Sequence, residues 1–122
     1  MYIPMSPDST MTIKCGIADV AFITLPYTGK NEEFLSKRSN QNLEEFNREG
    51  ATDDEKINAN RSLFNDIFNY FVKGYVLSDE QKTVKNFNEN ERPSDFFDSK
   101  IKQWFYNNII NVNYLSAEEK KS

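Results

Sequence analysis

The stretch TDDEKINANRSLFNDIFNYFVKG, residues 52–74, decides how this chain is read. It opens on Thr52-Asp53-Asp54-Glu55, a capping box in which hydroxyl and carboxylate satisfy free amides at a helix start from both directions. Behind it Ile57, Leu63, Phe64, Ile67, Phe68, Phe71 and Val72 keep helical spacing along one face. Gly74 then stands where a helix is closed by a residue in the left-handed conformation. The reading is a central amphipathic helix over roughly Asp53 to Lys73, with its apolar face turned to a core.

Working toward the amino terminus, Ser39 to Gly50 carries Leu43 and Phe46 one helical step apart, with Gly50 placed as a stop. Asn31-Glu32-Glu33 followed by Phe34 and Leu35 starts a short helix, the acids lying where the helix dipole favours them. Upstream the period changes from 3.6 to 2. Met11, Ile13 and Cys15 alternate with Thr12 and Lys14, Gly16 interrupts, and Val20 to Leu25 is an apolar, partly β-branched run ending at Pro26. These are two short strands forming a hairpin. Residues 1–10, with Pro4, Pro7 and a polar run through Thr10, have turn chemistry and read as a flexible arm.

Toward the carboxyl terminus, Tyr75-Val76-Leu77 is extended in character, and Val84 to Phe87 is partly apolar after a polar turn, which fits a small hairpin or loop pair. Pro93 and Ser94 open a short helix through Phe97. Ser99 caps a final helix with Ile101, Trp104, Phe105, Ile109 and Val112 on one side. Residues 116–122 read as a frayed tail. The expected fold is α+β and mostly helical: a short N-terminal β-hairpin packed on a bundle of about three to four helices, in a single domain over residues 11–115.

Composition narrows the function. The chain has 122 residues, 38% of them apolar, with ten Phe, six Tyr and one Trp, enough for one core. Net charge is −4, with fifteen Lys and Arg scattered among nineteen acids, so no basic stripe tracks a phosphate backbone. No run is long and apolar enough for a membrane span, and the first ten residues lack a signal-peptide layout, so the expectation is a cytoplasmic protein. Histidine is absent, which removes the usual general base and the commonest metal ligand.

The remaining chemical candidates have plainer explanations. Adjacent carboxylates at Glu32/Glu33, Glu44/Glu45, Asp53/Asp54 and Glu118/Glu119 point in different directions on a helix and read as helix starts or solvated faces. Asn86, Asn88 and Asn90 alternate like the start of a calcium loop, but Glu91 replaces the required Gly and Phe97 the closing Glu. Gly29-Lys30 lacks the upstream glycine of a phosphate loop, because position 24 is Thr. Asn60-Arg61-Ser62 matches a glycosylation acceptor but falls inside the central helix. Cys15, alone and in an alternating strand, reads as a small buried hydrophobe. The reading is a non-enzymatic protein without cofactor or metal.

Aromatic side chains remain in surplus. Phe64, Phe68 and Phe71 on one helix with Trp104, Phe105 and Tyr106 on another exceed what two short helices bury between themselves. Core is the default; the alternative is an exposed patch that marks a protein interface.

Taken as a block, Ile67 to Ile110 passes from an apolar helix into Val72-Lys73-Gly74-Tyr75, a polar turn with Asp79, the return Val84 to Phe87, Asn90 and a closing apolar helix. This order resembles the small tail assembly chaperones of long-tailed bacteriophages, whose members run from a helix through a glycine–aromatic step and an acidic turn to a final helix. Val20 to Leu25 before Pro26 is similar to their amino-terminal strand portion, although Tyr75 stands where many members carry Trp. The resemblance implies a protein that shields the long helical tape measure protein while tail tube subunits assemble. The expected contact residues are Phe68, Phe71, Tyr75, Trp104 and Phe105. The partner is then another protein, the tape measure or tail tube protein, with self-association also open. The competing reading is a phage or mobile-element inhibitor of a host enzyme or defence protein, for which clustered carboxylates would be the mark; here acids and bases interleave. A small enzyme working with carboxylates alone would need two of them facing across a pocket.

Overall fold

The computed structural model describes the backbone of residues 9–119 and the side chains of residues 9–110. Most of the expected arm lies outside the described residues, as do residues 120–122 of the expected tail. Four strands and three helices follow in the order β1 (Met11–Lys14), β2 (Val20–Thr24), α1 (Lys30–Phe46), α2 (Asp53–Phe71), β3 (Val72–Leu77), β4 (Val84–Asn86) and α3 (Ser99–Glu119), with a 3-10 turn at Pro93–Phe96 before the last helix. The protein is α+β, about half helical.

The amino-terminal hairpin forms as the alternation requires: β1 and β2 pair antiparallel with Ile13 opposite Phe22. It does not stand alone. β2 also pairs with β3, Phe22 opposite Tyr75, and β3 pairs with β4, so both hairpins join in one antiparallel sheet of order β1-β2-β3-β4. α1 and α2 therefore lie in the chain between two neighbouring strands; the expected hairpin packed on helices holds in outline, with three helices among the described residues and a four-stranded sheet that joins both hairpins.

α2 starts as the capping signal requires, Thr52 Oγ1 accepting the Glu55 N–H at 3.2 Å. The return half of the box differs: the Glu55 carboxylate accepts from the Thr52 hydroxyl and from the Arg48 guanidinium. At its far end Phe71 leads without a turn into Val72, whose N–H still donates to Phe68. Gly74 accordingly is not a helix stop. It lies inside β3, and a Cβ there would sit 2.2 Å from the carbonyl oxygen of Lys85, so only glycine lets β4 approach.

The two helices expected over residues 31–50 are one continuous helix, α1, closing at Asn47. Gly50 does adopt a left-handed conformation, φ 82°, but in the loop that follows. Gly29, φ 58°, supplies the entry to α1 without a side-chain cap. At α3 the capping acceptor is Asp98, whose Oδ1 takes the Ile101 N–H at 3.0 Å, in place of Ser99.

The core lies between one face of the sheet and the pair α2/α3. Phe22 is its centre, with ring centroids 5.5 Å from Phe68, 5.2 Å from Phe97 and 5.8 Å from Phe105, all edge to face. Such pairs add about 0.5–1.5 kcal/mol each beyond area burial. Phe97 is half-buried, whereas Phe22, Phe68 and Phe105 are wholly buried together with Ile67, Phe71, Val72 and Ile109. Ile57 falls off this face and is exposed, while Ala59 takes the buried position one half-turn later.

Candidate binding surfaces

The five expected contact residues are core or lie against it. Phe68, Phe71 and Phe105 have no exposed surface, so they meet a partner only if the domain opens. Tyr75 is half-buried between Phe87 and Phe97, at 5.8 and 5.4 Å between ring centroids. Trp104 is half-buried and lies over Gly16, where its Nε1 would meet an added Cβ at 2.9 Å. The sheet explains the aromatic surplus: Phe22, Tyr75 and Phe87 bring a third layer of surface for the helical rings to cover.

The exposed large apolar residues among the described ones are Ile17, Leu43, Ile57, Leu77, Val84 and Phe96. Strand parity groups one of them with others. Residues facing each other in the ladder share a face, so Ile13, Phe22 and Tyr75 point at the helices, while two rows point away: Thr12, Ile23, Gly74, Asn86 and Lys14, Ala21, Val76, Val84. Ala21, Ile23 and Val76 are partly exposed and do not belong to the core cluster; Val84 is 56% exposed. This outer face is flat at Gly74 and apolar along its middle. Among the described residues β1 and β4 end the sheet on either side, as edge strands.

The sequence signal for this surface was the alternation in Met11–Lys14 and Val20–Leu25, where the partly exposed positions are themselves apolar in β2. Hydrophobicity on both faces of a strand means either burial on both sides or an uncovered face. Within one chain the two look alike.

The remaining polar groups mostly serve local structure. Asp79 accepts from the Thr83 amide at 3.0 Å and the Thr83 hydroxyl at 2.9 Å across the β3–β4 turn, and these bonds hold its carboxyl below the usual range. Glu91 is lowered likewise, first by the Lys85 ammonium at 2.8 Å and then by the Asn88 amide. In the segment with calcium-like spacing, Asn88 Oδ1 caps the Asn90 N–H, so that oxygen is already used to shape the turn. Cys15 is buried as a free thiol. Burial also pushes the Tyr27 phenol well above its ordinary value. Among the described residues no group of three or more Cys, Asp or Glu side chains is placed to hold a metal ion, and no helix is long and apolar enough to cross a membrane.

Four open grooves among those of the described residues bear on a site. One, of about 260 Å³, lies between α2 and α3 over Ile57 and Phe64, with Arg61 and Lys102 at its sides. The others mix charges: Arg48 with Glu45 and Glu55, Lys73 with Glu89 and Glu91, Lys14 with Asp19. None brings two carboxylates across an enclosed, water-excluding cavity in the manner that carboxylate hydrolysis uses. In comparisons with protein-family models, curated proteins and solved structures, this chain matches none of them.

Proposed function

We propose that this chain is a non-enzymatic binding protein, and that its role is the one the sequence resemblance implies, shielding the tape measure protein during phage tail assembly. The observation that supports a binding role is the outer face of the sheet, where Val84 is exposed and Ile23 and Val76 are partly exposed, apolar side chains that lie outside the core cluster of the described residues. Apolar surface of this kind on an acidic protein is suited to holding an aggregation-prone partner while net charge keeps the complex dispersed. The contact surface moves accordingly. Of the residues expected from sequence, Tyr75 and Trp104 keep some exposure, whereas the outer sheet face replaces Phe68, Phe71 and Phe105.

The test is co-expression of the tagged chain with its neighbouring genes, followed by identification of what is retained. Recovery of a very long helical protein, lost on Ile23→Lys or Val84→Lys while the melting curve is unchanged, supports the proposal. A central apolar anchor carries about 2 kcal/mol or more, so binding should weaken on the order of thirtyfold. Recovery of a host enzyme instead replaces the chaperone with an inhibitor. Retention that ignores both substitutions removes the sheet face from the argument.

A further inference from the structure

On the helical side of the molecule, Ile57, Asn60, Arg61 and Phe64 recur at three- and four-residue spacing along α2 and face Lys102 and Gln103 of α3 across an open groove. Ile57 is 54% exposed, an apolar side chain left in solvent beside a half-buried Phe64. Arg61 is exposed, and its side chain makes no hydrogen bond or ion pair among the described residues. Lys102 gives one N–H to the Ser94 carbonyl at 3.2 Å and retains two more. Asn60 has its Oδ1 engaged by Asn42 at 3.0 Å, which leaves its amide nitrogen as a donor.

The charge pattern singles this groove out. The chain carries −4 overall, and the three other grooves described above each set at least one carboxylate beside a cation. Here two cations flank an apolar strip and no carboxylate lines the walls. Solvated surface charge on an acidic protein would interleave acids. Two cations and amide donors beside apolar side chains complement an acceptor-only group attached to an apolar body, which is a carboxylate beside a hydrocarbon side chain.

We infer that the α2–α3 groove binds an amphipathic helical segment of a partner protein that presents an acidic side chain next to an apolar one. The apolar side chain lies over Ile57 and Phe64, and the carboxylate is held between Arg61 and Lys102. A free small molecule fits less well, because small ligands are held by burying most of their surface and this groove of about 260 Å³ is open. A helix laid along the groove has its remaining surface covered by its own protein. The groove is lined by helical residues alone and is separate from the outer sheet face, so the inference stands or falls independently of what that face binds.

The test is a titration of the isotope-labelled chain, followed by NMR, with two capped Ala/Gln-based helical peptides of about eighteen residues, long enough to hold some helix. One carries a Leu and a Glu four positions apart; its twin carries Leu and Gln. The Glu peptide should shift the signals of residues 57–65 and 99–103 and the Arg61 side chain. It should bind at least about tenfold tighter than its twin, a difference that high salt reduces. Arg61→Gln and Lys102→Gln, whose folding the same spectra verify, should each erase most of that difference. The inference is overturned if the twins bind alike, if the shifts map elsewhere, or if neither peptide perturbs the groove at millimolar concentration.

Discussion

The two interfaces that α2 makes are built by opposite means. Toward the sheet and α3 it buries Ile67, Phe68 and Phe71 among Phe22, Phe105 and Ile109, a mostly apolar and aromatic set. Toward α1 the seam is largely polar. The buried residues of α1 are Asn31, Leu35 and Asn42, so a single apolar side chain is flanked by two amides. Asn31 gives an N–H to the Pro26 carbonyl at 3.0 Å and accepts from the Tyr70 hydroxyl at 2.8 Å. Arg38 pairs with Asp66 at 2.8 Å and Asn42 donates to Asn60, while Ser39 of α1 meets the Tyr106 hydroxyl of α3 at 3.0 Å. Phe34 stacked on Tyr70 adds one ring contact.

The difference teaches what each interface contributes. Burial of rings yields free energy with little directional demand. Hydrogen bonds that replace bonds to water yield about 1 kcal/mol net, but an unpaired buried partner costs more, so the polar seam fixes how α1 sits more than how tightly it is held. α1 should therefore open before the rest of the fold does.

Substitutions can break this contrast. Phe68→Ala removes a wholly buried ring that touches Phe22, Phe97 and Phe105, and should cost about 3–5 kcal/mol in urea unfolding. A cost below about 1 kcal/mol would mean that the aromatic core is not closely packed. Asn31→Ala strands the Tyr70 hydroxyl and the Pro26 carbonyl, and should cost about 1–3 kcal/mol. Hydrogen exchange should show that loss as faster opening of α1 amides, with α2 and the sheet retaining their protection. Uniform loss across the chain would show instead that α1 and the core unfold as one unit. Arg38→Met removes an ion pair whose Asp66 is 46% exposed, and should change stability by less than about 1 kcal/mol. A larger effect in a double-substitution cycle with Asp66→Asn would make that pair a main fastening of the seam.

The same contrast sets what could be read in the residues. The start of α2 and its core face were legible, because Thr52 to Glu55 and the spacing of Leu63, Ile67, Phe68 and Phe71 are local signals with local causes. The hairpin β1–β2 was legible for the same reason, as was the exclusion of histidine chemistry. Leu43, marked apolar, is exposed at 55%, and Asn42 beside it is buried. Hydropathy cannot foresee that exchange, since Asn42 is buried only because Asn60 arrives from another helix to bond it. Gly74 illustrates the point from the other side. Its position after a helix carries the same composition whether it stops that helix or makes room for the Lys85 carbonyl, and only the arrival of β4 chooses.

Local chemistry in the sequence thus determined where α2 starts, the alternation of β1 and β2, the aromatic wealth of the core and the absence of histidine. Tertiary structure alone decided that the two hairpins form one sheet, that Gly74 makes room for β4, and that Ile23, Val76 and Val84 lie outside the core cluster of the described residues. The physical reason is that β pairing and burial are relations between distant residues. A residue's own side chain sets how much it gains from leaving water, but its neighbours in space settle whether it leaves.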